Sequence, residues 1–546
     1  MVGLGWLHRG KTVLAAAGAL ALHAAAAHAD NGAVVTDNGP VKGVETSAGK
    51  QYLGIPYAAP PVGSLRWMPP QAAPRWHGVL NAKEFAPNCA QPGTPFGIAS
   101  TSEDCLYLNV FTPDNKGKGK AKDCDEDNGG KGKGNDKKCA APVMVWMHPG
   151  AFQYGASNDF DPSELVGRGV VVVTLNYRLG VLGWLSHPAL TAESASATSG
   201  NYGLQDQQAA LRWVQRNIDR FGGDTNNVTI FGESAGAVSV HAHMAAPSSA
   251  GLFHRAIAQS GGYALTQPTL ASAEQLGSAF ATQVGCTGQD AACLRALPVT
   301  TILANQSTSP TAYLPKVDGS ILPVSVATAF ATGQFNRVPV IEGSTHDEFT
   351  LFVATQFELR GTPVTAANYP FLVAAVLGVP LPTAQFIANN FYPLALYPNP
   401  SRALAAIGTD AAFACNTRVA ARLLAQWVPT WAYEFSDATA PQVFLPPVSF
   451  AYGSYHGSEV QYLFDVRAAV PAPPLNAQQL ALADSMQSYW TSFAKAADPN
   501  GGSVPAWGRY QPTTLDNFQS FRTTGPVAYT GTAFGADHKC AVWGSP

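Results

Sequence analysis

Short apolar runs bounded by glycine and polar residues alternate, over the first half of the chain, with longer segments of helical character. Pro142-Val143-Met144-Val145, Gly169-Val170-Val171-Val172-Val173-Thr174-Leu175 and Val228-Thr229-Ile230-Phe231 read as strands, and Ala209 to Phe221 reads as a helix. Strands this uniformly apolar need cover on both faces, so the succession predicts an α/β fold with a central, mostly parallel twisted sheet between layers of helices. Residues 350 to 430 read as mainly helical with proline breaks. The pattern stops between Asp114 and Lys138, where Gly, Lys, Asp and Asn dominate. Such a segment has no apolar area to bury and is expected to be a solvated hairpin or loop inserted into the fold at about 114–139.

The N-terminus has a different pattern. His8-Arg9-Gly10-Lys11 is basic, Thr12 to Ala27 is small and apolar, and Ala27-His28-Ala29 offers a small-x-small cleavage site before Asp30. Residues 1–29 are therefore expected to be a signal peptide and 30–546 a single catalytic domain, secreted or periplasmic. No later run of 18 apolar residues occurs, so no stable membrane anchor is expected. The remaining charge is balanced, with 33 Lys and Arg against 36 Asp and Glu. A net charge of −3 gives no support to nucleic-acid binding. Export makes the eight cysteines candidates for disulfides.

The candidate chemistry begins directly after Phe231. Gly232-Glu233-Ser234-Ala235-Gly236 has the G-x-S-x-G form of a nucleophile elbow, a sharp strand-to-helix turn that presents a serine hydroxyl. The helix-compatible Ala235 to His241 supplies the second half of that context. A serine needs a base to take its proton and an acid to orient the base. Among twelve histidines, His456 stands in a glycine-flanked loop, Tyr452-Gly453-Ser454-Tyr455-His456-Gly457-Ser458-Glu459-Val460. An acid is available after the apolar strand Val338 to Ile341, in Gly343-Ser344-Thr345-His346-Asp347-Glu348-Phe349, where Asp347 and Glu348 are both chemically capable.

Several longer segments carry a family signature. Gly200 to Asp224, Gly54-Ile55-Pro56-Tyr57-Ala58-Ala59-Pro60-Pro61, Glu103-Asp104-Cys105-Leu106-Tyr107-Leu108-Asn109, Asn176-Tyr177-Arg178-Leu179-Gly180 and Phe253 to Gly261 resemble, in order, the type-B carboxylesterase/lipase family of α/β-hydrolases, which includes the cholinesterases. The resemblance runs from about residue 34 to the C-terminus and implies the α/β-hydrolase fold. It implies a triad of Ser234, Glu348 and His456, with Glu348 rather than Asp347 as the acid. It places an oxyanion hole at the N–H groups of Gly150, Ala151 and Ala235. Here the chain departs from the family's His-Gly-Gly-Gly-Phe, because Pro149 and Ala151 replace the first and third glycines. Proline has no N–H, but the implied donors are the second and third positions, so the hole is expected to survive.

The same resemblance implies disulfides Cys89–Cys105, Cys286–Cys293 and Cys415–Cys540, leaving Cys124 with Cys139 to staple the polar insertion. It also implies structural ion pairs Arg66 with Glu103 and Arg178 with Asp206. In cholinesterases a tryptophan of the loop before Glu-Asp-Cys faces the substrate cation. The matching loop, Cys89 to Cys105, has Phe96 as its only aromatic residue.

These readings converge on a serine hydrolase that cleaves small-molecule carboxylic esters through an acyl-enzyme, with no cofactor. A lipase or an amidase on the same scaffold is the alternative within enzymes. The rival from another class is an adhesion protein of the same fold, against which the joint presence of Ser234, Glu348 and His456 argues. Asp123, Asp125 and Asp127 alternate like a calcium loop, but Gly134 stands where the ligating glutamate belongs, so solvated charge and no metal are expected.

Overall fold

The computed structural model describes residues 32–114, 140–512 and 516–544. The leader, the core of the insertion with Cys124 and Cys139, and the aspartates of the calcium-like stretch lie outside these residues. An 11-stranded sheet forms the centre. Its strands along the chain are β1 (Val44–Glu45), β2 (Gly49–Pro56), β3 (Tyr107–Pro113), β4 (Ala141–Met147), β5 (Val171–Leu175), β6 (Gly223–Glu233), β7 (Arg255–Gln259), β8 (Val340–Thr345), β9 (Thr430–Phe435), β10 (Asn517–Phe521) and β11 (Val527–Thr530). Their order across the sheet is β11-β10-β9-β8-β7-β6-β4-β5-β3-β2-β1. The middle of the sheet, from β5 through β10, is parallel, and both margins are antiparallel.

The uniform apolarity of the central strands follows from their burial on both faces. Val143, Val145 and Met147 of β4 join one core with Val171, Val173, Val228 and Ile230, while Met144 and Trp146 join the opposite core with Val172, Phe231, Ile257 and Ile341. This is the period of two of a strand, with helices on each side. Helices Tyr202–Asn217 and Ala235–Ala245 cover the first face, and Ala477–Ala496 covers the second through Leu482, Met486, Tyr489, Trp490 and Phe493.

The helix expected over Ala209 to Phe221 instead begins at Tyr202 and passes into a 3₁₀ turn at Ile218–Phe221. Its first two turns bury polar groups, which hid them from an apolar-periodicity reading. Asp206 is fully buried against Arg178 at 2.7 Å, and Gln207 donates to Ser239 at 3.0 Å. Between residues 350 and 430 the helices are Thr350–Gln356, Tyr369–Leu377, Leu381–Asn390, Pro400–Gly408 and Cys415–Ala425. The prolines open three of these helices rather than break them, since a first-turn proline lacks only an N–H that would be unpaired anyway.

Cys89–Cys105, Cys286–Cys293 and Cys415–Cys540 are joined by S–S bonds. Arg66 meets Glu103 at 2.5 Å and also donates to the carbonyls of Arg295 and Leu297, so this pair pins two distant loops. The C-terminal segment is anchored to the sheet by buried charge. His538 lies between Asp410 at 2.7 Å and Glu434 at 2.6 Å, and Asp537 meets His346 of the loop after β8 at 3.3 Å.

Candidate active site

Ser234 occupies the turn between β6 and the helix Ala235–Ala245, with φ 52° and ψ −120°, a conformation that an L-residue rarely adopts. Three constraints hold it there. Its N–H donates to the Gln259 carbonyl on the neighbouring β7 at 2.8 Å, and its carbonyl accepts from Val238 N–H at 2.9 Å. The helix behind it packs so close to β4 that a Cβ on Gly236 would collide with the Met147 carbonyl oxygen. The strained turn lifts the hydroxyl out of the sheet into a cavity of about 190 Å³.

His456 and Glu348 reach the same place from two loops. Glu348, fully buried after β8, accepts a hydrogen bond from His456 Nδ1 at 2.5 Å through Oε2. Its other oxygen accepts from Ser260 Oγ at 2.6 Å and from the Thr345 N–H at 2.8 Å. The carboxylate is thus satisfied on both oxygens and fixes the imidazole with Nδ1 as donor. That leaves Nε2 as the basic nitrogen. Nε2 has no hydrogen-bond partner among the described residues, and His456 lines the cavity together with Ser234. The ring is wedged between Phe352 and Phe413, with centroids at 5.1 and 5.0 Å.

Asp347 does different work. Its carboxylate bonds Arg402 at 2.6 Å and the Ser454 N–H at 3.0 Å, and its own N–H donates to the Ser454 carbonyl. It therefore ties the acid loop to the histidine loop. Gly453, at φ 67°, has no room for a Cβ beside that carboxylate. Burial would raise the Asp347 carboxyl, but His346 and Arg402 hold it down at about 2.

Gly150, Ala151 and Ser234 share the cavity wall. The N–H groups of Gly150, Ala151 and Ala235 donate to no protein acceptor among the described residues, which leaves them available to an oxygen in the cavity. The loop that carries the first two is rigid. Ala151 and Phe152 both have positive φ, 54° and 59°. His148 Nδ1 lies 2.8 Å from the Pro149 carbonyl, its ring stacks on Tyr177, and Tyr177 Oη donates to the His148 carbonyl at 2.8 Å. Burial lowers the His148 pKa to about 4, so its imidazole is neutral.

Four participants escaped the sequence reading. Ser260 supports Glu348, although it sat inside a segment already singled out, Phe253 to Gly261. Tyr263 lies beside Ser234. Glu233 Oε1 lies 3.3 Å from His456 Nε2, and burial, then the charge of Glu348, raises its carboxyl well above the ordinary range. Phe352 packs on the histidine, with no motif to reveal it. Apart from these groups the cavity is walled by Phe96, Tyr154, Phe160, Leu351, Phe444 and Val460, with Arg360 and Arg467 as its guanidinium groups. No tryptophan lines it among the described residues.

A hydroxyl in a strained elbow, an imidazole fixed by a buried carboxylate and N–H donors on a stiff loop form a set suited to acyl transfer. Known proteins share the chain's architecture and much of its sequence. A fumonisin B1 esterase of Sphingopyxis macrogoltabida is 34% identical over 493 residues, covering 87% of this chain and 84% of the relative. A para-nitrobenzyl esterase of Bacillus subtilis (strain 168) is 33% identical over 503 residues, covering 88% and 93%. A solved structure of PNB esterase superposes with a TM-score of 0.75 at 29% identity, over 94% of this chain and 99% of that one, and the fold is accordingly that of the α/β-hydrolases. Residues 30–533 match the model of the Carboxylesterase family, and the chain belongs to that family.

Proposed function

We propose that this protein is an exported serine esterase that hydrolyses small-molecule carboxylic esters through an acyl-enzyme, with Ser234, His456 and Glu348 as its triad. The observation that carries this reading is the 2.5 Å bond from His456 Nδ1 to the doubly supported Glu348, which leaves Nε2 unpartnered in the cavity that Ser234 enters. Nε2 takes the Ser234 proton as Oγ attacks the ester carbonyl. The N–H groups of Gly150, Ala151 and Ala235 receive the developing oxyanion. The imidazolium, stabilised by Glu348, then protonates the departing alcohol. Water enters, gives its proton to the same Nε2 and releases the acid. Each proton and charge movement uses a group of this chain. The three disulfides, together with the leader composition, support a periplasmic or extracellular location.

A fluorophosphonate reagent tests the reading, because it labels only an activated serine. Stoichiometric modification of Ser234, abolished in Ser234→Ala and in His456→Ala, is the expected result. Folded protein that hydrolyses esters but is labelled at another residue would overturn the assignment.

A further inference from the structure

The cavity wall is largely apolar, yet it carries two guanidinium groups that differ in their partners. Arg467 is already committed. Its Nε meets Asp159 at 2.6 Å and its N–H donates to the Asp159 carbonyl at 2.9 Å. This pair closes a short ribbon, Phe160–Asp161 against Asp465–Val466, and so serves the wall itself. Arg360 is not committed. It donates from Nε to the Thr355 carbonyl at 3.1 Å and has no ion pair among the described residues, so both terminal nitrogens stay open. Glu358, two positions away, is engaged by Ser401 at 2.8 Å. The acids on the wall are Asp159, held by Arg467, and Glu233, whose carboxyl burial raises well above the ordinary range. Arg360 therefore has no carboxylate partner among the described residues in a substrate-sized space.

Its position along that space is set by the chain. Phe352 touches His456, and Phe352, Gln356 and Arg360 follow at four-residue intervals on the lining. Phe352 and Gln356 are partly buried, whereas Arg360 is exposed. Helix Thr350–Gln356 carries Phe352 and Gln356, and after a break at Phe357 a 3₁₀ turn, Glu358–Arg360, brings Arg360 to the exposed part of the lining. A planar guanidinium with two open nitrogens matches a carboxylate in bidentate geometry.

From this arrangement we infer that Arg360 is a specificity residue, and that the preferred substrates are esters bearing a second, ionised carboxylate at an end remote from the scissile carbonyl. The inference rests on the ester-hydrolase reading above and names its substrate class. An extended eight-carbon diacid monoester carries its free carboxylate well clear of the scissile carbonyl. The carboxylate could belong to the acyl or the alcohol half, and the same contact would serve either.

Two matched pairs of substrates separate these cases. The acyl pair is 4-nitrophenyl hydrogen suberate and its terminal carboxamide isostere. The alcohol pair is 7-carboxyheptyl butyrate and its carboxamide. At low ionic strength the carboxylate member of at least one pair should have a kcat/KM at least fivefold higher, expressed mainly in KM. Arg360→Gln should bring that ratio close to one, Arg360→Lys should retain part of it, and 1 M NaCl should shrink it, because the site is open to solvent. Equal rates for carboxylate and carboxamide in both pairs would overturn the inference while leaving the esterase reading intact. A carboxylate preference that persists undiminished in Arg360→Gln would also overturn it. Failure to hydrolyse any of the four esters would remove both.

Discussion

Asp347 and Glu348 are neighbours in sequence with opposite allegiances: Glu348 meets His456 Nδ1 at 2.5 Å, whereas Asp347 meets Arg402 at 2.6 Å. The geometry favours Glu348 as the acid and gives Asp347 the task of joining two loops. Glu348→Gln should therefore lower kcat by about 10²-fold or more, less than the ~10⁴-fold loss expected for Ser234→Ala or His456→Ala. Asp347→Asn should spare most of the rate and lower the unfolding midpoint in denaturant. The reverse ranking in steady-state kinetics would reassign the acid.

The loop proposed to supply oxyanion donors carries an alanine, Ala151, where φ is 54°. A left-handed L-residue costs ~1–2 kcal/mol, while a glycine there loses about 0.4–1 kcal/mol through the unfolded chain. Ala151→Gly should thus raise stability by up to about 1 kcal/mol and, because the N–H is kept, leave kcat/KM within a few-fold. Urea unfolding and ester kinetics on the same preparation check both halves. A large loss of rate would show that the Cβ, and not only the N–H, shapes the hole.

Stability should also depend on alkaline pH through the C-terminal anchor. Burial alone would lower the His538 pKa, but hydrogen bonds to Asp410 and Glu434 overcome it and raise the value to about 9. A base whose folded pKa lies above its unfolded value, ~6.5, stabilises fully below the latter and progressively less as pH rises through the former. His346 is shifted in the same direction, its burial outweighed by Asp347, Asp537 and Glu434. The melting temperature should therefore fall between pH 7 and about 9.5. The slope should be shallower in His538→Gln. A flat wild-type profile over that window would show that the imidazoles carry no such charge.

Choline esters should have no advantage. The cavity offers a quaternary ammonium group phenyl and phenol faces, among them Phe96 stacked on Tyr154 at 5.8 Å, and no indole among the described residues. A desolvated cation–π contact supplies about 2 kcal/mol, with indole the strongest partner. Butyrylcholine and its neutral carbon analogue, 3,3-dimethylbutyl butyrate, should show similar kcat/KM. A tenfold preference for the cation would mean that another group binds it.

The elements legible in the sequence were those whose signal is local. The elbow at Ser234 announces itself because a sharp turn needs glycine at fixed offsets, and the central strands because both faces are buried. His456 stood out by its glycine-flanked loop. The choice between Asp347 and Glu348 was not legible, since it depends on which way two adjacent side chains turn toward partners 55 and 108 positions away. Ser260, Phe352 and Arg360 were silent for the same reason. The early start of the Tyr202–Asn217 helix was hidden because its polar side chains find buried partners, and apolar periodicity registers only the residues that need none.

The anchoring of the C-terminal segment bears on the order in which the molecule can become competent. His346 stands two residues before Glu348, and its partner Asp537 comes 191 positions later. His538 and Cys540, which grip Glu434, Asp410 and Cys415, follow at once. A nascent chain can assemble the elbow long before these residues exist, but the acid loop receives its outer brace only when the chain has grown by a further 191 positions. A polypeptide that stops short of Asp537 thus carries the proposed nucleophile while the loop of its proposed acid still lacks that brace.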